Sequence, residues 1–162
     1  MSSIITAHVS AWYNACMKVL AKNKRATYDY ALDERIVAGL VLSGDEVKSI
    51  RAGHASLKGS FIILRENEAY LTGAQVTPYA HASDRSALDP TRQRKLLLHR
   101  KQLNQLIGEK QHGLSVVPTA LLQDRRHIKL EIGIGRGKKE YDKRETIKER
   151  DTSRELARQM KH

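Results

Sequence analysis

The segment HIKLEIGIG, residues 127–135, carries the clearest structural pattern in the chain. Its residues at positions 128, 130, 132 and 134 are apolar, whereas Lys129 and Glu131 fall on the alternate positions. Alternation with a period of two is typical of a β-strand that buries one face. Further strands are predicted at short intervals by the stretches at 28–33, 36–42, 61–76, 114–118 and 119–123. The sequence therefore predicts a mainly β fold, an antiparallel barrel with helices packed on it.

A short helix is predicted to follow the turn at residues 43–46. Asp45 is suited to cap it, because an acidic side chain can accept hydrogen bonds from the free N–H groups of a first helical turn. Val47 and Ile50 then lie on one face, and Gly53 is placed to end the helix in a left-handed conformation. Within residues 61–76, the polar triplet Glu66-Asn67-Glu68 predicts the turn of a hairpin.

A longer helix is predicted to begin at Asp89-Pro90, where a cap is followed by proline, and to end at Gly113. The sequence leaves open whether residues 92–98 already belong to it. Pro118 separates two strand patterns and predicts an edge or a bulge. The next hairpin turn is predicted at residues 123–126.

The chain is strongly basic. It holds 29 Lys and Arg residues against 18 Asp and Glu, a formal net charge of +11 with a pI near 9.9. This excess favours a polyanionic partner, nucleic acid first and an anionic membrane second. Charge that only keeps the protein soluble is the simpler alternative. Five clusters of basic residues stand out, within residues 23–25, 48–51, 92–101, 125–129 and 136–144.

No catalytic or metal-binding motif stands out in the sequence. Cys16 is the only cysteine, which excludes an intrachain disulfide and a cysteine metal cluster and fits a reducing cytosol. Neither HExxH nor GxSxG occurs, and Lys139 stands where a P-loop needs Ser or Thr after Lys138. The sequence predicts a protein that is not an enzyme and uses no cofactor or metal. No apolar run is long enough to span a membrane.

Residues 1–22 are predicted to form an extension before the main domain. Apolar residues recur there at helical spacing, which fits a short amphipathic helix: Ile5, Val9, Trp12, Cys16 and Val19. The alternative is that translation begins at Met17. Residues 1–16 contain no Lys or Arg, which argues against a signal peptide or a transit peptide.

Residues 137–151, GKKEYDKRETIKERD, predict a segment that does not fold by itself. Only Tyr141 and Ile147 could bury much apolar surface there, too little to offset the entropy of ordering the backbone. The abundant Glu, Lys and Arg nevertheless favour a helix. The segment is therefore expected to be disordered alone and ready to become helical on a partner.

Four stretches together resemble the SmpB family, the SsrA-binding proteins of bacterial trans-translation. They are NKRATYDY (23–30), AGLVLSGDEVKSIRAG (38–53), DPTRQRKLLLH (89–99) and GKKEYDKRETIKERD (137–151). The likeness extends from about Asn23 to the end of the chain. The set GxEVKS, RKLLLH and GKKxxDKR, in this order, is highly specific.

The resemblance implies an oligonucleotide-binding-type barrel with packed helices at residues 23–135, and a basic tail at 136–162. It implies that the body binds the tRNA-like domain of transfer-messenger RNA and helps it to enter ribosomes stalled on messages without a stop codon. The tail, disordered when free, would become helical along the empty mRNA channel near the decoding centre of the small subunit. A cytoplasmic, monomeric protein that performs no chemistry and has no membrane partner is expected.

The resemblance also assigns roles to residues of this chain. The family positions that face RNA fall on Asn23, Arg25, Leu97 and Lys129, and for Leu97 packing in the core is an equal interpretation. RNA contacts are further expected at residues inside or next to the shared motifs: Lys24, Lys48, Arg51, Gly137, Lys138 and Lys139. For Lys48 and Arg51 a structural role is the alternative. The tail is expected to contact the ribosome through Tyr141, Asp142, Lys143, Arg144, Lys148 and Arg150. Tyr141 takes the position suited to stacking on a ribosomal base. Tyr28 and Tyr30 could also stack on bases, but the sequence pattern favours core packing for them.

One position departs from the family pattern. Many members carry Glu, with a role in RNA binding, directly before the Ala38-Gly39 pair, where this chain has Val37. Glu34 lies nearby, but an odd number of strand steps would turn it to the other face. A rival interpretation is a general RNA-binding barrel, such as a chaperone or ribosome-associated factor, whose tail is a nonspecific basic arm.

Overall fold

The computed structural model of the chain describes residues 17–78 and 89–139. Three helices lie in this part: α1 (Lys24–Asp29), α2 (Gly44–Arg51) and α3 (Arg100–Gln111). The strands are β1 (Lys18–Lys22), β2 (Tyr30–Leu40), β3 (Ala55–Ser56), β4 (Phe61–Arg65), β5 (Glu68–Thr72), β6 (Gln75–Val76), β7 (Arg94–Leu97), β8 (Ser115–Asp124) and β9 (His127–Gly137).

The main sheet has seven antiparallel strands in the order β1-β8-β9-β2-β7-β5-β4, and β3 pairs with β6 in a separate small sheet. The order does not close on itself, although β4 at one end contacts β8 near the other. The sheet is therefore curled without being sealed by a continuous hydrogen-bond ladder. These features confirm the predicted mainly β, antiparallel class with packed helices.

The core lies inside the curled sheet and under α2 and α3. On β9 the four predicted apolar residues Ile128, Leu130, Ile132 and Ile134 are all buried. The other face is covered as well from Glu131 to Gly135, so the strand buries more than the one predicted face. Leu103 and Leu106 of α3 join the same cluster, as does Ile50 of α2. Packing one apolar face of each element against the sheet removes the apolar surface from water, which is the dominant stabilising contribution to such a fold.

Helix α2 begins as an N-terminal capping box. Ser43 is the cap: its side chain accepts from the Glu46 N–H at 3.3 Å, and the Glu46 carboxylate accepts from the Ser43 N–H at 2.8 Å. The predicted cap, Asp45, lies instead in the first turn. Gly53 has φ of 86°, as expected for the residue that ends the helix. The predicted β4–β5 turn is also present, with Glu66 and Asn67 both at positive φ.

The predicted helix start at Asp89-Pro90 is wrong. Asp89 accepts from the Thr91 N–H at 2.8 Å in a local turn, and residues 94–97 then form strand β7 between β2 and β5. Pairing on both sides satisfies the backbone of β7 and buries Leu96, so tertiary contacts decide this segment. Helix α3 begins only at Arg100.

Several predicted strands are longer or start elsewhere. The stretches at 28–33 and 36–42 belong largely to one strand, β2, with a bulge between Leu32 and Glu34. The patterns on either side of Pro118 likewise form one strand, β8, and the register shift between Pro118 and Ala120 is the predicted bulge. The β8–β9 turn occupies Arg125 and Arg126, inside the predicted range. Residues 18–22, placed in the N-terminal extension, pair with β8 as β1.

Candidate nucleic-acid interface

Asn23 holds helix α1 on strand β8. Its backbone N–H donates to Thr119 O at 2.7 Å and its side-chain Nδ2 donates to Pro118 O at 2.9 Å. Its Oδ1 accepts from the Ala26 N–H at 3.4 Å, which makes Asn23 the N-cap of α1. The residue is 8% exposed. Asn23 thus positions the helix, while the neighbouring Lys24 and Arg25 are exposed to solvent.

The GKK motif lies beside the same helix. Gly137 is the last residue of β9 and pairs with Tyr30 at the start of β2. The Lys138 N–H donates to Asp29 O at 2.8 Å, and Lys138 Nζ approaches Thr27 O at 3.4 Å. The fold therefore brings two motifs that are more than a hundred residues apart in sequence into one basic region, the α1 edge, defined as Lys24, Arg25, Lys138 and Lys139.

Leu97 and Lys129 lie in one row across the outer face of the sheet. Gly39 on β2 is the register partner of Leu97 on β7 and of Lys129 on β9. Leu97 is 55% exposed, so the interpretation of this residue as part of the core is wrong. Lys129 Nζ lies 2.7 Å from Asp124 Oδ2. A hydrogen bond from this ammonium is the main cause of a lowered Asp124 pKa.

Lys48 and Arg51 lie three residues apart on α2, on the same face of the helix. Arg51 Nη2 donates to Arg126 O in the β8–β9 turn at 2.6 Å, which ties the helix to the hairpin. Lys48 is exposed and its Nζ lies 3.8 Å from Asp45 Oδ1. We define the hairpin end as Lys48, Arg51, Leu97, Arg126 and Lys129.

The α1 edge and the hairpin end lie at opposite ends of the β2–β9 ladder. Lys129 is paired with Gly39 near one end, and Gly137 with Tyr30 at the other. At roughly 3.4 Å per residue, the stretch of β9 from Lys129 to Lys138 covers about 30 Å. The predicted RNA-binding residues of the body are therefore divided between two regions rather than gathered in one groove.

Arg92 and Arg94, counted in a basic cluster from the sequence, both pair with the buried carboxylate of Glu46, Arg94 from the interior and Arg92 from a partly exposed position. Arg94 is 1% exposed, and its Nε donates to Glu46 Oε1 at 2.9 Å. Its remaining N–H groups reach the carbonyl oxygens of Ala74 at 2.8 Å and Pro90 at 3.0 Å. Arg92 Nε donates to the same Oε1 at 2.8 Å. Both cations serve the fold.

Glu46 is consequently ionised despite its burial. Burial raises the pKa of Glu46, but the hydrogen bond from Arg92, the Ser43 N–H and the charges of Arg94 and Arg92 outweigh it, and the pKa lies below its usual value. Burial lowers the pKa of Arg94, which stays protonated because its reference value is so high. The capping-box spacing Ser-x-x-Glu was the only sequence signal for this cluster.

Val37, which departs from the family pattern, is the register partner of Glu131 on β9. The Glu131 carboxylate is 7% exposed as a side chain, accepts from the Thr119 hydroxyl and lies 3.4 Å from Arg35 Nη1. Glu34 faces the other way, as predicted, because its Oε2 accepts from Gln105 Nε2 of α3 at 2.8 Å. Glu34 therefore provides no carboxylate on the face that carries Val37.

The expected ribosome-contacting residues lie outside the described residues: Tyr141, Asp142, Lys143, Arg144, Lys148 and Arg150. The predicted helix from Ile5 to Val19 also lies outside them up to Cys16. Its last residue, Val19, is described and belongs to strand β1, paired with Leu122, so the helix prediction is wrong at that position. Tyr28 and Tyr30 are half-buried. Within residues 17–78 and 89–139, no helix is long and apolar enough to cross a membrane, and no three His, Cys, Asp or Glu side chains are grouped so as to hold a metal ion.

Comparisons with known proteins agree on one family. The model of the SmpB protein family matches residues 20–162. An SsrA-binding protein of Synechococcus sp. (strain JA-3-3Ab) is 48% identical over 146 residues, which cover 90% of this chain and 95% of the relative. Another, from Ralstonia nicotianae, is 48% identical over 143 residues, 88% of this chain and 97% of the relative.

A solved structure gives the same result. It is described as tmRNA–SmpB on a journey to the centre of the bacterial ribosome. One chain in it is 41% identical to this protein and superposes with a TM-score of 0.61, covering 74% of this chain and 84% of that one.

Proposed function

The chain belongs to the SmpB family of SsrA-binding proteins, and we propose that it binds the tRNA-like domain of transfer-messenger RNA and delivers it to stalled ribosomes in trans-translation. The outcome of this delivery is a nascent peptide tagged for degradation and a released ribosome. The protein acts in the cytoplasm as a binding partner and carries out no chemistry itself.

The observation that carries the proposal is the placement of the predicted RNA-binding residues at two ends of one rigid ladder. Exposed Lys and Arg side chains bind phosphates without reading sequence, so each end can hold a different stretch of RNA backbone. Two such regions would let the body hold the folded tRNA-like domain at two separate places. The hairpin end adds the exposed Leu97, an apolar side chain suited to contact an unstacked base.

The tail would act at a later step. Residues 136–162 hold ten basic and six acidic side chains, which attract the segment to a channel walled by ribosomal RNA. Tyr141 would stack on a base, and Asp142, Lys143, Arg144, Lys148 and Arg150 would make the polar contacts. Ordering the tail only in a channel free of mRNA lowers its affinity and makes binding a test of whether the channel is empty.

The test is binding of the purified full chain to three RNAs: the tRNA-like domain of transfer-messenger RNA, an ordinary tRNA and an unrelated hairpin. The dissociation constants are measured between about 0.05 and 0.2 M salt, because nonspecific binding falls steeply over that range. A variant truncated after Lys139 is measured alongside. This position leaves the pairing of Gly137 and the contact of Lys138 with Asp29 intact.

Preference for the tRNA-like domain that persists at the higher salt, in both the full chain and the truncated variant, is the expected result. It would make the body the RNA reader and leave the tail for the ribosome. If all three RNAs bind equally and are lost together as salt rises, the chain is a general RNA-binding protein and the proposal is wrong.

A further inference from the structure

A cavity of about 300 Å³ lies between the end of β1, the start of α1 and residues 55–58. Its floor is apolar and includes Leu20, Ala21 and Leu57. Four exposed cations stand at its rim: Lys22, Lys24, Arg25 and Lys58. Lys24 and Arg25 were expected to contact RNA from the sequence. Lys22 and Lys58 come from β1 and a loop that no motif had marked.

In the described part of the chain, no acidic side chain balances the positive charge at this rim. Within residues 17–78 and 89–139, none of the ion pairs includes a cation of the rim, and no Asp or Glu lines the cavity. Some basic residues elsewhere have acidic partners, such as Lys129 with Asp124 and Lys48 with Asp45. The rim is therefore one part of the described surface that has positive charge left over for an anion, and it also borders a cavity with an apolar lining.

The loop fixes the position of Lys58. Ser60 N–H donates to Leu57 O at 3.1 Å, which closes a four-residue turn with Lys58 and Gly59 at its centre. Gly59 has φ of 76°, the conformation that the third position of a type II turn requires. Ser60 Oγ donates to Leu57 O at 2.7 Å, and the Lys58 N–H donates to Ser56 Oγ at 3.3 Å. Leu57 is only 2% exposed and anchors the turn in the core, so the turn backbone is held in place before any ligand binds.

We propose that this cavity is an RNA-backbone site in which Lys22 and Lys58 bind phosphates together with Lys24 and Arg25. Its size fits one nucleotide, with phosphate oxygens at the basic rim and the ribose or base over the apolar floor. The inference rests on the proposed function and adds a site that includes the first strand. It extends the α1 edge from the helix to β1 and the β3 loop.

The experiment measures binding of the tRNA-like domain of transfer-messenger RNA to full-length Lys22→Gln, Lys58→Gln and double variants as salt is varied. Loss of one phosphate contact is expected to weaken binding about fivefold at 0.15 M salt and to reduce the slope of log K against log salt by about one. The double variant should lose roughly 25-fold, with two units of slope. The control is Lys110→Gln, an exposed lysine in the last turn of α3.

The outcomes separate the two proposals. If the wild-type chain binds tightly and Lys22→Gln and Lys58→Gln match it in affinity and slope, the cavity is not a phosphate site, and the proposed function stands. If the wild-type chain shows no preference for the tRNA-like domain, the proposed function itself fails. Equal losses in Lys110→Gln and Lys58→Gln would show a general charge effect and also overturn the site.

Discussion

Arg94 and Glu46 form an ion pair in the interior of the protein, with Nε and Oε1 2.9 Å apart and side-chain exposures of 1% and 8%. The pair joins strand β7 to the first turn of α2. The remaining Arg94 donors reach the backbone carbonyl oxygens of Ala74 and Pro90. A buried ion pair of this kind adds little net stability as a whole, but removing one partner leaves an uncompensated buried charge. The two residues should therefore be far more sensitive to single substitution than the surface cations are.

We expect Glu46→Gln to lower the free energy of unfolding by about 3 kcal/mol, because Arg94 would keep its charge without an anion. Urea unfolding at pH 7 measures the change. Asp45→Asn is the matched control, since it removes one acid from the same helical turn. Lys48, the partner of Asp45, is exposed, and its Nζ lies 3.8 Å from Asp45 Oδ1. The Asp45→Asn variant should therefore lose no more than about 0.5 kcal/mol of unfolding free energy. Equal stability of Glu46→Gln and the wild type would contradict the role of the pair.

Stability should also fall in acid through Glu46. Its pKa is lower in the folded chain than its ordinary value of 4.5, so its contribution is complete above that pH and is lost as the pH falls through the folded pKa. The measurement is the free energy of unfolding from about pH 7 to 3. The wild type should lose more than Glu46→Gln over this range. Glu68, Asp89 and Asp124 also have lowered pKa values, so the variant keeps part of the slope.

The sequence predicts the fold best where apolar residues recur with the period of one element and share one buried face. On β9 the alternation from Ile128 to Ile134 sets both the strand and its buried face. No strand was predicted at β7, which follows the wrongly predicted helix start, and there Arg94 is buried and Leu97 is exposed. Arg94 can be buried because it pairs with Glu46, a partner distant in sequence. A period-two reading cannot detect a charge that is neutralised by such a partner.

The candidate interface shows the same division. Motif positions identified Lys24, Arg25, Lys138 and Lys139, but their proximity depends on the β2–β9 register, which only the structure supplies. Asn23 was assigned to RNA contact, whereas its side-chain amide is engaged with Pro118 and Ala26. Lys58 could have been noticed through the SLKGS turn pattern, yet nothing local in the sequence brings that turn beside β1.

Leu96 and Leu97 are neighbours with opposite expected roles. Leu96 is 3% exposed in the core, so Leu96→Ala should cost about 3 kcal/mol of stability. Leu97 is 55% exposed, so Leu97→Ala should change stability by less than about 1 kcal/mol and weaken binding to the tRNA-like domain. Urea unfolding and fluorescence anisotropy with labelled RNA give the two readouts. Unchanged RNA affinity in a folded Leu97→Ala variant would remove Leu97 from the interface.

Gly135 and Gly137 at the end of β9 test whether the glycines before the tail serve the fold or the RNA. A Cβ on Gly135 would lie 1.8 Å from Ala31 O, and backbone cannot move aside as a side chain can. Gly135→Ala should therefore cost about 3 kcal/mol or more. A Cβ on Gly137 meets nothing within 4 Å, so Gly137→Ala should unfold within about 0.5 kcal/mol of the wild type. Because the variant should remain folded, its affinity for RNA tests the contact directly. A lower affinity means that RNA backbone approaches Gly137 closely. An unchanged affinity removes Gly137 from the predicted RNA contacts and leaves Lys138 and Lys139 among them.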